Sequence, residues 1–565
     1  MSSPGQDNPS SGRTPVFAIE DLNVWFDVGS TRKKVREVHT VKGISLQIAA
    51  GERLGLVGES GCGKTTTILA AMGLLPSTAS VSGRILLDGK DILAQGEQSI
   101  RPHRWNDIAM VFQGAMNAFN PVKTVGWQIT EALRIHGTAT GKDARTRVGE
   151  LLELVGIPAD RATRYPHEFS GGMRQRAVIA MALACNPKVL LADEPTTALD
   201  VVVQDQILQL LLRLSTELDL ALVLVTHDLA VVAQTCDRAA VMLEGQIVEH
   251  GTLEQLYRQP EHAYTRTLFE STPNLFAAKR PTTAALPGPA GPLLDVRDLK
   301  VTYTGYRSFR QALRREPRID TAAVDGISLQ VNRGELVALV GQSGCGKTTT
   351  VQTILGMQPA GSGSISVCGT EITTLSRGQW RPLRSRVQMI YQDPYESLDV
   401  RFRVRQTLEE PLRIHGIGSS TKERDGIVKH ALERVGMTPP ERYLGRYPHE
   451  LSGGQRQRVA IATSLVLSPE LLLADEPVSM LDVSVRQGVL ELLDNLRREE
   501  AMGILMITHD LSTAANFADR IAVMHEGRIV EQGAAWDIVN APTAAYTKTL
   551  LASVPNPDPA VRAVR

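Results

Sequence analysis

The chain has 565 residues, 61 of them basic and 61 acidic, with 42% hydrophobic and 22% charged side chains. Such a composition is ordinary for globular domains, and a net charge of zero offers no overall basic face of the kind that nonspecific binding to nucleic acid or anionic lipid relies on. The length exceeds what one ordinary core organises and predicts several compact units or two large ones. The five cysteines, Cys62, Cys185, Cys236, Cys345 and Cys368, are scattered with no C-x-x-C pair, which argues against a zinc or iron–sulfur site and suits a reducing compartment.

Residues 1–16 are polar, lack the apolar core of a signal peptide and are expected to be a flexible lead into a cytosolic protein. No run approaches the roughly 18 apolar residues needed to span a bilayer, so a membrane role has to come through partners. After a first strand ending near Phe26 comes a charged insert, TRKKVREV (31–38), read as a hairpin with a solvated basic surface. RLGLVG then runs into ESGCGKTT, placing G-x-x-x-x-G-K-T where a strand turns into a helix, as a phosphate-binding loop requires. Gly58, Ser60, Gly61 and Gly63 let backbone N–H groups wrap phosphates at a helix N-terminus, with Thr66 beside them. Lys64 is predicted to reach the β and γ phosphates of a nucleotide, and the Thr65 hydroxyl to ligate Mg2+.

Farther along, KVLLADEP is an apolar strand ending in paired carboxylates: Asp193 suits Mg2+ through water, and Glu194 suits polarising the attacking water. ALVLVTHD offers His227 at another strand end as a sensor of the γ-phosphate. The Pro-, Ala- and Gly-rich segment 271–292 reads as an extended linker. Beyond it the chain is written a second time. GQSGCGKTT supplies Gly341, Ser343, Gly344, Gly346, Lys347, Thr348 and Thr349; LLLADEP supplies Asp475 and Glu476; ITHD supplies His509; and a second charged insert spans 306–318. Two phosphate loops in register make coincidence negligible. The coarse pattern, strands alternating with helices, predicts an α/β layout with largely parallel sheets.

RYPHEFSGGMRQR (164–176) and RYPHELSGGQRQR (446–458) narrow the field. Ser170-Gly171-Gly172 and Ser452-Gly453-Gly454 open helices, so a hydroxyl and bare amides form a second anion site at each helix N-terminus. These segments resemble the signature motif of ATP-binding-cassette proteins, and the resemblance covers nearly the whole chain. It implies two P-loop NTPase domains, each with a RecA-like α/β core, a helical subdomain and an antiparallel β subdomain, closing on two ATP molecules so that each signature serves the nucleotide of the other domain. It further implies that Gln113 and Gln392 sense Mg2+ and transmit closure, that Asp200 and Asp482 lie in D-loops, and that Phe26 and Tyr303 stack on adenine.

FQGAMNAFNPVKTVGWQITEAL, YQDPYESLDVRFRVRQTLEEPL, and the tails PEHAYTRTL (260–268) and PTAAYTKTL (542–550) resemble the dipeptide, oligopeptide and nickel importer branch. The expected organisation is therefore a first ATPase domain at 17–270, a linker at 271–292, a second domain at 293–552 and a flexible end at 553–565. The expected function is an ATP hydrolase driving import of a small solute, foremost di- or oligopeptides, from the cytoplasmic face of the membrane. Its expected partners are two integral-membrane permeases and an extracytoplasmic solute-binding protein, with no nucleic acid and no homo-oligomer needed. The alternatives are nickel, glutathione-like or other solute uptake, an exporter motor, or a tandem-cassette translation or DNA-repair ATPase. That last reading calls for a long charged helical arm or inserted zinc modules, and the sequence has neither.

Overall fold

The computed structural model describes residues 14–31, 34–114, 118–197, 199–272, 275, 291–304, 320–376, 378–393, 397–479, 481 and 483–561. These fall into two compact units, one formed by Met1–Leu199, Val203–Thr272 and Pro555–Arg565, the other by Asp200–Val202 and Pro273–Val554. Within the first, a six-stranded sheet runs in the order Gln246–Thr252, Arg238–Leu243, Arg53–Val57, Ala221–Thr226, Val189–Asp193, Ile108–Val111. All neighbours are parallel except the outermost pair, Gln246–Thr252 with Arg238–Leu243. The strands Val189–Asp193 and Ala221–Thr226 are buried at every residue, which explains why they read as continuous apolar runs: parallel strands are covered on both faces.

One of the two cores of this unit, including Leu54, Leu56, Val189 and Val223, packs against a four-stranded antiparallel sheet ordered Lys34–Ala49, Pro15–Thr31, Ala79–Leu87, Lys90–Asp91. The first two of these strands form the hairpin that the TRKKVREV insert predicted, paired from Pro15–Ala49 to Thr31–Lys34. The other core joins Val57, Leu190 and Leu224 to the helices Val125–Ile135, Gly141–Leu154 and Gly171–Ala182.

The second unit repeats the plan. Its antiparallel sheet is ordered Asp320–Val331, Leu294–Thr304, Ser362–Val367, Thr370–Glu371, and its six-stranded sheet Val387–Ile390, Leu471–Asp475, Gly503–Thr508, Leu336–Val340, Arg520–His525, Arg528–Ala534. The helices Val404–His415, Thr421–Arg434 and Gly453–Leu465 cover the corresponding flank. The insert at 306–318, Asp482 and most of the 271–292 linker lie outside the described residues; Leu275, within that linker, is buried in the second unit's core.

Register positions the site. Val57 lies opposite Thr226, Asp193 opposite Val225, and Val111 opposite Ala192, so four strands end at one level. The loops that follow them carry the phosphate motif, Gln113, Glu194 and His227, gathered at the carboxyl edge where open α/β sheets bind ligands. Val340–Thr508, Asp475–Ile507 and Ile390–Ala474 do the same in the second unit. Residues 555–561, expected as a loose end, instead pack in the first unit: Gln234 Nε2 donates to the Asn556 carbonyl at 2.8 Å, and Arg258 pairs with Asp558 at 3.4 Å.

Candidate functional site

In each unit the phosphate loop wraps its own lysine. Lys64 Nζ donates to the carbonyls of Gly58 at 2.7 Å and Glu59 at 2.8 Å, and Lys347 Nζ to Gly341 at 2.7 Å and Gln342 at 2.9 Å. Both lysines are buried, whereas Ser60, Gly61 and Thr65, like Ser343, Gly344 and Thr348, are exposed along the rim. Glycine is required at two kinds of position here. Gly63 and Gly346 open the helices Lys64–Ala71 and Lys347–Ile354 at φ 104° and 107°, and a Cβ at Gly58 or Gly341 would lie 2.2 Å from the carbonyl oxygen of Met242 or Met524. Cys62 and Cys345 are buried within the loop, and that burial raises the pKa of their thiols.

The carboxylates meet the loop. Thr65 Oγ1 donates to Asp193 Oδ1 at 3.2 Å. In the second unit Thr348, Gln392 and Asp475 line one cleft of about 340 Å3. Burial, with the neighbouring glutamate, pushes Asp193 and Asp475 each up to about 6. A hydroxyl, a carboxylate and an amide oxygen are the hard donors that Mg2+ takes, so these residues fit the ion, and the open glycine rim fits phosphate oxygens.

Glu194 is the centre of a tight network. Its Oε1 is hydrogen-bonded to His227 Nδ1 at 2.9 Å, and its Oε2 accepts from Gln113 Nε2 at 2.7 Å and from Thr197 Oγ1 at 2.8 Å. Burial disfavours its charge, yet the bonds from His227 and Thr197 and the nearby Lys64 hold it down to about 2. Glu476 repeats the arrangement, 3.0 Å from His509 Nδ1 and accepting from Gln392 Nε2 at 2.9 Å. Its pKa is also lowered: burial opposes the shift, and the bond from His509 drives it. The histidines predicted to sense the γ-phosphate and the glutamines predicted to sense metal thus converge on the glutamates. Both glutamates adopt left-handed backbone, φ 43° and 46°, a strained conformation for such a side chain and one that nothing in the strand pattern foretold.

The two signature turns are helix N-termini. Ser170 and Ser452 cap the helices Gly171–Ala182 and Gly453–Leu465, each hydroxyl accepting the N–H three residues on at 3.3 Å. Gly172 and Gly454 are dictated by packing: a Cβ there would come within 2.5 Å of Val203 or 2.4 Å of Val485. Gly171 and Gly453 have no such constraint, the nearest atom being 3.6 Å away or absent. The two aromatics differ: Phe26 leans on the core beneath the antiparallel sheet, while Tyr303 is 41% exposed.

Sequence reasoning missed Thr197 and, more consequentially, Tyr264 and Tyr546. The hydroxyls of these two tyrosines accept the N–H groups of Glu59 and Gln342 in the phosphate loops at 3.0 and 3.2 Å. The signal was available in the A-Y-T of both tails.

The family model described as ABC transporter matches residues 41–197 and again 324–479, and the one described as oligopeptide/dipeptide transporter, C-terminal region, matches 248–296 and 530–565. The chain is 43% identical over 546 residues to the peptidoglycan transport ATP-binding protein YejF of Agrobacterium fabrum, covering 96% of this chain and 97% of that protein. It is 42% identical over 576 residues to the glutathione import ATP-binding protein GsiA of Salmonella choleraesuis, covering 96% and 90%. The counterpart in Escherichia coli O157:H7 is 41% identical over 573 residues with the same coverage. Among the described residues no helix is long and apolar enough to cross a membrane. The chain belongs to the ABC transporter ATP-binding proteins of the oligopeptide/dipeptide importer type: two ATPase cassettes in one polypeptide that hydrolyse ATP to energise import of a solute.

Proposed function

We propose that each cassette binds ATP with Mg2+ on its glycine loop and that both hydrolyse it. Lys64 and Lys347 turn from the loop carbonyls to the phosphate oxygens, and the rim amides of 60–66 and 343–349 complete the cradle. Thr65 with Asp193 and Gln113, and Thr348 with Asp475 and Gln392, would hold the metal, which would supply positive charge to offset that of the phosphates. Glu194 and Glu476, kept ionised, accept a hydrogen bond from the attacking water, while His227 and His509 fix their orientation. Ser170, Gly171, Gly172, Ser452, Gly453 and Gly454 supply further amides and hydroxyls to bound nucleotide, and Phe26 and Tyr303 offer faces to the adenine.

The observation that carries this reading is the glutamate fixed by histidine and glutamine beside a lysine-filled glycine loop, found in both cassettes. Replacing both glutamates, Glu194→Gln with Glu476→Gln, is expected to leave ATP binding intact and to lower steady-state hydrolysis by about a hundredfold or more. Hydrolysis at the unaltered rate would remove both residues from the chemistry.

The solute is a short peptide or a peptide-like compound such as glutathione. Support comes from the importer-type C-terminal region present after each cassette and from relatives named for glutathione and peptidoglycan transport. The chain works at the cytoplasmic membrane face, bound to two permeases that receive solute from a binding protein. Reconstitution with those permeases, followed by a screen of peptides, glutathione and chelated nickel for stimulation of ATPase activity, tests this assignment.

A further inference from the structure

Each phosphate loop is fastened from behind by a residue more than two hundred positions later in the chain. Tyr264 is the second residue of the helix Ala263–Glu270, and its hydroxyl accepts the Glu59 N–H at 3.0 Å; Tyr546 is the second of Ala545–Ala552, and its hydroxyl accepts the Gln342 N–H at 3.2 Å. The bonded amide belongs in both units to the residue just after the first loop glycine.

The tyrosines are themselves held. Glu249, on the outermost strand of the first six-stranded sheet, accepts from the N–H groups of Glu261 and His262 at 2.8 and 3.1 Å. Glu531 accepts from those of Thr543 and Ala544 at 2.7 and 3.1 Å. Leu268 and Leu550 sink the helices into their cores. The geometry is the same with Ala544 at the position of His262, so the placement of the tyrosine does not depend on a side-chain helix cap. Burial pushes the Tyr546 phenol up to about 12, so its oxygen stays a neutral hydroxyl across the working pH range.

In each loop the amide after the first glycine is bonded to the tail and not to the rim that faces solvent. A partly buried N–H without an acceptor costs free energy and lets the loop change shape. We propose that Tyr264 and Tyr546 are positioning residues for ATP: the importer-type tail of each cassette supplies the acceptor that holds its phosphate loop in the nucleotide-binding shape. Nucleotide affinity then depends on the tail being docked, which gives the C-terminal region a role inside the ATPase cycle. The proposal rests on the reading of the two glycine loops as phosphate cradles.

The test uses the full chain with Tyr264→Phe, Tyr546→Phe and both together, which keep the rings and remove only the acceptors. Steady-state hydrolysis should show KM for ATP raised about three- to tenfold for the double variant, with kcat kept within about twofold. Hydrogen exchange, followed by mass spectrometry on peptides spanning 55–63 and 337–345, should accelerate at the first loop only in Tyr264→Phe and at the second only in Tyr546→Phe. Unchanged KM and exchange would overturn the proposal, and so would exchange accelerated throughout the six-stranded sheet, which marks the phenols as fold supports. Lys64→Ala with Lys347→Ala tests the underlying reading separately. If that variant still binds ATP, the cradle assignment fails, while local exchange in the Phe variants still reports whether the tail fixes the loop.

Discussion

The two cassettes agree in the hydrogen bonds made where their strands end and differ in the side chains around those bonds. Lysine to loop carbonyls, glutamine to glutamate, histidine to glutamate and tyrosine to loop amide all recur within about 0.2 Å between the units. Around that shared frame the side chains have drifted. Thr197 gives Glu194 a third donor, whereas Ser479 donates to the backbone carbonyl of Glu476. His525 stacks on Tyr546 with ring centroids 3.9 Å apart, where the first unit has Leu243. Gln455 closes a reciprocal capping box with Ser452, and Met173 cannot. The difference teaches that the same few bonds at the strand ends are kept in each cassette while the side chains around them vary.

The strongest way to break this equivalence is at the loop glycines. Gly58→Ala or Gly341→Ala puts a methyl within 2.2 Å of a backbone oxygen at positive φ, and should cost roughly 3 kcal/mol or more of local stability. Nucleotide binding should fall to one site per chain in either variant, measured by titration calorimetry; two sites of unaltered affinity would show that the loops tolerate what the geometry forbids.

A smaller effect separates the paired carboxylates. Asp193, raised to about 6 from a usual value near 3.8, contributes stability that is full below pH 4 and lost as pH climbs through 6; Glu194, lowered to about 2, contributes stability present above about 4.5 and lost in acid. Asp193→Asn should therefore stabilise the nucleotide-free protein at pH 8 by about 2 kcal/mol and have little effect at pH 4, read from denaturant unfolding at both pH values. A destabilised variant at pH 8 would mean that the charge is compensated in the folded protein. The smallest effect is at the signature caps: Gln455→Met should weaken the second helix start by about 0.5–1 kcal/mol, and Met173→Gln should strengthen the first by a similar amount, seen as opposite shifts in Tm.

Much of the site could be read in the sequence because its chemistry is local. A glycine loop with its lysine and threonine occupies eight consecutive residues, and Asp193–Glu194 and Asp475–Glu476 follow apolar strands whose burial on both faces leaves no other reading. The duplication supplied the rest, since a histidine or glutamine that means little once means more at the same place twice. What could not be read was convergence across the sheet. His227 and Gln113 are 33 and 81 positions from Glu194, and only the shared level of three parallel strand ends brings them onto its two oxygens.

By itself, then, the sequence determined the two-cassette plan, the phosphate loops and the acids beside them, because each is a run of neighbouring residues with one workable conformation. Tertiary structure alone decided that both glutamates sit in left-handed backbone, that the adenine-facing candidates Phe26 and Tyr303 differ in exposure, and that each tail tyrosine reaches a loop about two hundred residues away. Those features depend on register and on packing between distant segments, and no local pattern carries the position of an acceptor supplied from about two hundred residues away.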